Sequence, residues 1–475
     1  MKRNNMKKVV AALAFAFGAV GAAQAATQIV IVNANAPGVG FNDTTPATPV
    51  GGNTGTTLGA QRLIAFTHAA NLWGAKLDSS VPIRIQASFE PLNCTANSAT
   101  LGSAGALEVF SDFPNAPKAN TWYPAALANK LSGVDQSPTV ADIRARFNSR
   151  LGMAENCLPG SPFYLGIDGN HGTATDFVTV LLHEMGHGLG FQSFTDEETG
   201  EYFAETPAVW DHFMTDNTTN TKWIDLTPKA RVANAVSGDG LSWDGPNVNA
   251  AVPNVLGARG LVAFSGANAG SVAGEHAFGE ASFGPRITDA NVTGQIMPVV
   301  ENRTTNTGLA CTPLTGANAT AVKGNVALVD RGTCNFAIKA ANVQAAGAVA
   351  MIVADNAPGD PAGMSGSDPS ITIPSVRISQ ADGLALKAAL AARSRTASGV
   401  IAKLGADESQ LAGTDRQKRI LMYTPTTFAP GSSVSHYTTA ASPNQLMEPS
   451  INADLTQEVV PPKDLTLPLL KDIGW

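Results

Sequence analysis

The sequence predicts a mixed α+β protein in which a separate α/β domain interrupts the main one. Three observations lead to this fold class. Strand and helix patterns alternate from Thr27 to about Gly245, the region from Pro246 to Asp407 changes to Gly- and Ala-rich β segments with few charges, and a strongly apolar helix precedes residue 190. Alternating elements of this kind favour a twisted sheet with backing helices.

The first 25 residues have the pattern of a secretory signal peptide. Lysines and an arginine come first, an apolar stretch runs from Val9 to Val20, and Ala23-Gln24-Ala25 forms an A-x-A cleavage site. The apolar part is too short for a stable membrane anchor, and no later run is long enough to span a bilayer. We therefore expect a secreted or periplasmic protein of bacterial type that starts at Ala26 and has no membrane anchor.

Composition narrows the classes of partner. About 450 residues follow the signal, enough for two or three domains. Apolar residues make up 44% of the chain and charged residues 15%, which is typical of a globular protein. The formal net charge is −7 and no basic cluster follows the signal, so we expect no nucleic-acid partner.

Residues 26–245 are predicted to form the N-terminal lobe of the main domain. QIVIVN and PIRIQASF have the pattern of strands, and QRLIAFTHAANLWG that of a helix ending at Gly74. SPTVADIRARFNSRL is interpreted as a second helix that starts at Ser137 or Thr139. FYLGIDG predicts a further strand.

The stretch HEMGHGLGF, starting at His183, is the most informative motif. Residues four apart lie on one face of a helix, so His183 and His187 can bind one metal ion. Glu184 lies beside them, where its carboxylate can take a proton from a water molecule that the metal activates. Asp176 is a suitable N-cap for this helix and Gly190 a suitable end.

Two histidines leave a catalytic zinc site one protein ligand short. The extended pattern HExxHxxGxxH would place the third ligand at Ser193, and serine is a poor zinc ligand. The third ligand must then come from elsewhere in the chain. The other histidines are His68, His171, His212, His276 and His436.

Four cysteines in a chain with a signal peptide favour disulfides. Three pairings are possible. Pairing sequence neighbours keeps each bridge inside one domain, which predicts Cys94 with Cys157 and Cys311 with Cys334.

Within residues 246–407, one passage predicts strand, turn, helix and strand: VALVDRGTCNFAIKAANVQAAGAVAMIVADN, with Gly347 ending the helix. PSVRISQADGLALKAALAA has the same pattern of a strand followed by a helix, with Ser379 as N-cap. The VDRGxCxF pattern, the Ala346-Gly347-Ala348 step and the IPSVRIS strand resemble the protease-associated (PA) domain. The resemblance implies an α/β insertion without catalytic residues of its own, so Asp330 and Arg331 are interpreted as turn residues.

Residues 408–475 are predicted to complete the main domain. The string SHYTTAASPNQLMEP resembles the metzincins of the leishmanolysin type, in which a long insertion separates the third histidine from the helix motif. The resemblance implies that His436 is the third zinc ligand and that Met447 forms an apolar floor under the metal. The terminal DIGW is similar to the closing helix of that family. The resemblance implies a metzincin-like catalytic domain with a small C-terminal subdomain.

Other residues are alternative candidates for the third metal ligand. Glu201 or Glu205 could complete a gluzincin-type site, although Pro207 interrupts the helix that such a ligand needs. His171 is interpreted as a loop residue and His212 as packed against aromatic neighbours. Tyr437 is a weak candidate for stabilising an oxyanion.

The sequence thus predicts a zinc-dependent endopeptidase with one catalytic Zn²⁺, Glu184 as general base, and protein or peptide substrates. The alternative is a catalytically weak or inactive zinc-stabilised module that binds proteins through its PA domain. A third hypothesis is a metal-dependent hydrolase that acts on non-peptide amides, because the metal chemistry is the same. The sequence leaves calcium binding, cleavage specificity, oligomeric state and control of activity open.

Overall fold

We analysed the fold in a computed structural model of the chain. The structure describes residues 26–95, 98–152, 156–172, 174–302, 304, 308–364, 366, 368–452 and 455–475. The predicted signal peptide, residues 1–25, lies outside the described residues.

Strands and helices alternate along the chain. Up to residue 255 they are β1 (Ile29–Asn33), α1 (Leu58–Gly74), β2 (Ile83–Glu90), β3 (Gly102–Ala106), β4 (Val109–Phe110), β5 (Tyr123–Pro124), α2 (Ala125–Ser132), β6 (Ile143–Asn148), β7 (Phe163–Tyr164), β8 (Thr175–Asp176), α3 (Phe177–Leu189), β9 (Met214–Asp216), α4 (Pro228–Ala235), β10 (Leu241–Trp243) and α5 (Pro246–Val255). After residue 257 they are β11 (Ala258–Ser265), β12 (Gly274–Glu275), β13 (Phe278–Glu280), α6 (Ile287–Ala290), β14 (Val292–Pro298), α7 (Gly316–Val322), β15 (Val326–Asp330), α8 (Phe336–Ala345), β16 (Ala350–Ala354), β17 (Ser375–Ile378), α9 (Gln380–Ala389), β18 (Ile401–Leu411) and α10 (Thr466–Ile473).

The first sheet has the strand order β1-β2-β6-β3. The first three strands are parallel, and β3 is an antiparallel edge strand. In β2 the side chains of Ile83, Ile85, Ala87 and Phe89 are buried, the period-2 pattern that sets one face of a strand against a core. Helices α1 and α3 pack against each other and α3 contacts both β6 and β3, so the predicted α+β arrangement is confirmed.

The predicted helix at residues 137–151 is wrong. The structure has strand β6 there, paired with β2 on one side and β3 on the other. Its burial alternates: Ile143, Ala145 and Phe147 are buried, whereas Arg144 is exposed. The sequence IRARFN contains this period of two, whereas Ser137 and Thr139 before it are residues that favour a helix start. The nearest helix is α2, which lies before this segment.

Helix α3 carries the HEMGH motif, as predicted. Asp176 accepts a hydrogen bond from the Val178 backbone N–H at 3.2 Å and so caps the first turn. All thirteen residues of α3 are buried, which explains why its sequence is apolar on every side. Gly190 ends the helix with a positive φ of 121°.

Gly188 lets α3 approach the central strand β6. A Cβ atom at this position would lie 2.4 Å from Cγ2 of Ile143, which is fully buried. We expect Gly188→Ala to lower the free energy of unfolding by about 1–2 kcal/mol, because overpacking costs more than the better helix propensity returns. Chemical denaturation measures this loss. If the steric account is right, the same substitution costs much less in an Ile143→Ala background; an equal cost would contradict it.

A second, eight-stranded sheet lies between residues 258 and 411, in the order β12-β11-β18-β14-β15-β16-β17-β13. Strands β14 to β17 are parallel neighbours, and both of their faces are buried. Val326 and Leu328 of β15 enter one apolar core, and Ala327 and Val329 the other. This is the α/β insertion that the sequence predicts.

Most of the local predictions inside this insertion also hold. Strand β15, helix α8 and strand β16 follow one another as expected. Gly347 lies just after α8 with a φ of 88°, and the Ser379 hydroxyl accepts a hydrogen bond from the Asp382 N–H at the start of α9. The interpretation of Asp330 as a turn residue is wrong: it is the last residue of β15 and pairs with Lys387, while Arg331 follows the strand and pairs with Asp355.

The insertion begins later than the predicted Pro246. Helix α5, which starts there, buries Val248 and Val252 in the core of the first lobe, and Asp472 near the chain end accepts hydrogen bonds from the Asn247 and Val248 N–H groups. The Ala412 N–H donates to the Gly257 carbonyl oxygen at 2.9 Å. The chain therefore leaves the first lobe at residue 257 and returns beside the same point at residue 412.

Two disulfides join sequence neighbours, as predicted. Cys94 is bonded to Cys157 in the first lobe, and Cys311 to Cys334 in the insertion. Among the described residues, no helix has both the length and the apolar character that a membrane span requires.

Candidate metal centre

Three histidines from two distant chain segments meet at one point. The Nε2 atoms of His183 and His187 are 3.1 Å apart, those of His187 and His436 are 3.2 Å apart, and those of His436 and His183 are 3.3 Å apart. All three side chains are buried. Within the described part of the chain, this is the cluster of His, Cys, Asp or Glu that could hold a metal ion.

The other ring nitrogens fix the tautomers. Nδ1 of His183 faces the Leu446 carbonyl oxygen at 2.7 Å, Nδ1 of His187 faces that of Phe191 at 2.7 Å, and Nδ1 of His436 faces that of Ser432 at 2.9 Å. A carbonyl oxygen can only accept, so each Nδ1 carries the proton and donates it. In the neutral rings the three Nε2 lone pairs therefore point at one another.

Converging lone pairs repel unless a cation lies between them. Three vertices of a tetrahedron with zinc–nitrogen bonds of 2.0–2.1 Å lie roughly 3.3–3.4 Å apart, close to the separations found here. Carbonyl acceptors behind each imidazole are the usual support for zinc-binding histidines. The donor set, its spacing and its support fit a Zn²⁺ ion with one position left open.

Electrostatics keeps these imidazoles neutral. Burial lowers the pKa of His183 to about 4, and burial together with the neighbouring His183 lowers that of His187 to about 3. Burial, His187 and His183 place the pKa of His436 well below its ordinary value. A metal ion therefore does not have to displace protons at neutral pH.

A turn after β18 brings His436 to the helix. The Tyr437 N–H donates to the Met447 carbonyl oxygen at 2.9 Å, while the Leu446 carbonyl oxygen accepts from His183. Val434 precedes His436 with a φ of 65°, a left-handed conformation that is strained for a β-branched residue. The carbonyl groups of Leu446 and Met447 thus help to position His183 and the segment that carries His436.

Met447 lies directly under α3. A Cβ atom on Gly186 would come within 2.8 Å of the Met447 Sδ, and Met447 is fully buried. The glycine therefore provides the space that the sulfur occupies. The role that the resemblance implies for Met447, an apolar floor under the metal, stays a prediction.

Glu184 lies between the histidines and the edge strand β3. A Cβ atom on Gly102 would lie 2.7 Å from Oε1 of Glu184, so only glycine leaves room for this carboxylate. Burial raises the pKa of Glu184 to about 8, and a hydrogen bond from the Ala104 backbone opposes this rise. The roles of Gly102 and Ala104 could not be predicted from the sequence, because GSAGA has no apolar pattern.

A cleft of about 1050 Å³ contains the three histidines and Glu184. One wall is formed by residues 98–104, and others by residues 192–193, 430–432 and 448–452. The outward side of β3 faces this cleft: Leu101 and Leu107 bond to β6, so the alternate residues Gly102 and Ala104 present their backbone groups to the other side.

Ser193 occupies the position that the third metal ligand has in the pattern HExxHxxGxxH. In this protein it forms hydrogen bonds to other residues instead. Its hydroxyl donates to Asp211 at 2.7 Å, and its N–H donates to the hydroxyl of Ser435, the residue before His436. Asp211 is fully buried, and burial raises its pKa to about 6. Ser193 therefore links the loop after α3 to the segment that carries His436, a link that the sequence analysis missed.

The other residues that the sequence offers as metal ligands are not members of the histidine cluster. Glu201 and Glu205 are exposed and outside the histidine cluster. His171 is half-buried and lines the cleft, with Nδ1 on the Ala174 carbonyl oxygen, and His212 contacts the Thr121 hydroxyl. The Tyr437 hydroxyl donates to the Leu465 carbonyl oxygen in the core.

Searches of known proteins gave one family match. No curated protein matches the chain. Among solved structures, a zinc aminopeptidase from Bacillus subtilis is 22% identical with a TM-score of 0.21, and the match covers 33% of this chain and 35% of that one. An aminopeptidase from Aneurinibacillus sp. strain AM-1 is 16% identical with a TM-score of 0.22, over 42% of each chain. A subtilisin-like protease from Pseudoalteromonas sp. AS-11 is 19% identical with a TM-score of 0.23, over 32% of this chain and 34% of that one.

These structural matches span about a third to two fifths of the neighbours' lengths, and their TM-scores are too low to transfer a fold or an activity. The family match is more informative. The PA domain family matches residues 292–386, from β14 into α9. This range lies inside the eight-stranded sheet region described above, and the protein therefore contains a PA domain.

Proposed function

We propose that this protein is a zinc-dependent endopeptidase of the metzincin type, secreted or periplasmic, with a PA domain inserted between its first two metal ligands and the third. One observation supports the proposal most directly. His183, His187 and His436 direct three Nε2 lone pairs at one point in an open cleft, and the carboxylate of Glu184 is buried beside them.

Zinc in such a site polarises the scissile carbonyl and acidifies water. Glu184 accepts the proton from the attacking water and passes it to the leaving amine. A carboxylate with an ordinary pKa would be a poor donor in the second step. Burial raises the pKa of Glu184 to about 8, and a bound cation would lower it towards neutrality, where the group can both accept and release a proton.

The edge strand β3 supports an extended peptide as the substrate. Its outward backbone groups at Gly102 and Ala104 lie next to Glu184, and within the described residues no strand pairs with that edge. An added strand can pair there through its own backbone, without using a chain terminus. This arrangement favours cleavage inside a chain over removal of a terminal residue.

Two further features fit an exported enzyme that acts on proteins. Both disulfides persist in an oxidising compartment, in keeping with the predicted signal peptide. The PA domain leaves the main lobe at residue 257 and rejoins it at residue 412, so it is attached to the catalytic domain at both ends. We infer that it restricts or presents protein substrates.

Casein digestion tests the proposed activity. We expect the zinc-loaded protein to cleave casein, to lose this activity with 1,10-phenanthroline, and to regain it when Zn²⁺ is restored. Activity that survives complete removal of the metal would contradict the proposal. Binding of casein without any cleavage would instead favour the alternative, a zinc-stabilised protein-binding module.

A further inference from the structure

A second depression opens beside the catalytic cleft, and we call it the side pocket. It has a volume of about 630 Å³ and is lined by residues 194–199 and 201–204 and by Phe428, Pro430 and Gly431. Glu197, Pro430 and Gly431 also line the cleft that contains the histidines. The two spaces share a wall, so a side chain of a peptide bound in the cleft can reach into the side pocket.

The side pocket has an open aromatic surface. Phe203 is 56% exposed, which is unusual for a large apolar side chain, and Phe428 is half-buried. Two residues after Phe203 have left-handed backbones, Ala204 with a φ of 47° and Glu205 with a φ of 62°. Each costs about 1–2 kcal/mol for a residue with a Cβ atom. The Trp122 indole N–H donates to the Phe203 carbonyl oxygen at 2.9 Å and contributes to holding this turn.

Glu197 contributes a carboxylate at the junction of the two spaces. Burial, and to a smaller extent the nearby carboxylates of Asp211 and Asp196, raise its pKa to about 7. Among the described residues that line the cleft and the side pocket, none is a lysine or an arginine. A cation placed beside Glu197 would stabilise its charged form against both burial and the neighbouring carboxylates.

One arginine contacts a residue of the side pocket but is engaged with other groups. Arg231 is buried, and its guanidinium lies 3.9 Å from the centroid of the Tyr202 ring. Its N–H groups donate to the carbonyl oxygens of Gly200 and Leu226. The Tyr202 ring is therefore already covered by Arg231. The Phe203 ring packs against Trp122, with ring centroids 6.1 Å apart, but remains 56% exposed, and Phe428 is half-buried.

We propose that the side pocket binds a lysine or arginine side chain of the substrate, with Glu197 as the specificity-determining residue. This inference rests on the proposed peptidase function. Lysine and arginine combine a long apolar stem with a cationic head. The stem matches the rings of Phe203 and Phe428, and the head matches Glu197. A neutral side chain leaves the carboxylate without a partner, and an acidic one is repelled.

Cleavage of a complex peptide mixture, read by mass spectrometry, tests the proposal. For the wild-type protein we expect lysine and arginine to be enriched at one position near the scissile bond. Glu197→Gln should lower this preference by about tenfold while peptides with neutral residues are still cleaved, and Glu197→Lys should shift the preference towards Asp and Glu. Glu408→Gln is the matched control, because it removes one exposed carboxylate on β18, away from both spaces.

A binding assay separates substrate selection from turnover. Paired fluorescent peptides that differ only in lysine or leucine at the enriched position are titrated onto Glu184→Gln protein. The lysine peptide should bind more tightly, and adding Glu197→Gln should remove the difference. Wild-type cleavage without a basic preference, or a preference that Glu197→Gln leaves intact, would overturn this inference alone. Absence of any peptide cleavage by the wild-type protein would overturn the proposed function, and this inference with it.

Discussion

Replacing Glu184 with glutamine should abolish proteolysis while leaving the zinc in place. The amide is close in shape to the carboxylate but cannot take a proton from water, and loss of a general base costs about 10²–10⁴-fold in rate. The three histidines do not depend on Glu184 for their hydrogen bonds, because each Nδ1 donates to a backbone carbonyl oxygen. We therefore expect kcat/KM on a casein-derived peptide to fall by this factor, with one zinc per molecule still bound.

Glu205→Gln is the matched control for this experiment. Glu205 is the alternative glutamate from the sequence, is exposed, and lines neither the cleft nor the side pocket. Its substitution should leave both zinc content and activity unchanged. If Glu184→Gln keeps full activity, the carboxylate is not the base. If it loses zinc, Glu184 contributes to holding the metal.

Helix α3 could be predicted from the sequence in detail because every cue there was local. Asp176 as cap, an apolar run, two histidines four apart and Gly190 at the end all act within fifteen residues, and the structure has α3 between these points. Two glycines within the motif, Gly186 and Gly188, are explained by the packing around the helix. Each marks a close approach, of Met447 to Gly186 and of Ile143 to Gly188.

Strand β6 shows where local reasoning failed. IRARFN has the alternation of a strand, yet Ser137 and Thr139 suggested the start of a helix. The outcome depends on neighbours that are distant in sequence, since β6 is stabilised by pairing with β2 and β3 on either side. The start of the insertion was also misplaced for a tertiary reason. Helix α5 belongs to the first lobe because Asp472, at the far end of the chain, caps it.

The details around the metal centre were beyond a single sequence for the same reason. The Ser193 hydroxyl donates to Asp211, and its N–H donates to Ser435, 242 residues away. Gly102 is required only because the Glu184 side chain happens to pass there. No pattern in either segment indicates its partner. His436 could be proposed as a ligand because the segment that contains it and Met447 resembles a known family. The structure places His436 beside His183 and His187.

Replacing His436 with alanine should remove the zinc. Structural zinc sites with four ligands are worth about 10–16 kcal/mol, so one ligand contributes on the order of 10²–10³-fold in affinity. We expect the variant to lose its metal on dialysis against a mild chelator that leaves the wild-type protein loaded. Metal analysis gives the zinc content, and the difference in Tm with and without zinc gives an independent measure, because a ligand that binds only the folded state raises stability.

His68→Ala is the matched control, since His68 lies on α1 outside the cluster and should bind zinc as the wild type does. Retention of zinc by His436→Ala would show that the third ligand lies elsewhere. The architecture explains why we expect otherwise. His436 is 249 residues from His187, but the insertion between them starts and ends at hydrogen-bonded neighbours, Gly257 and Ala412. Because the PA domain closes on itself, its length adds little to the entropy of bringing the two segments together, and the third histidine is held by the same lobe as the first two.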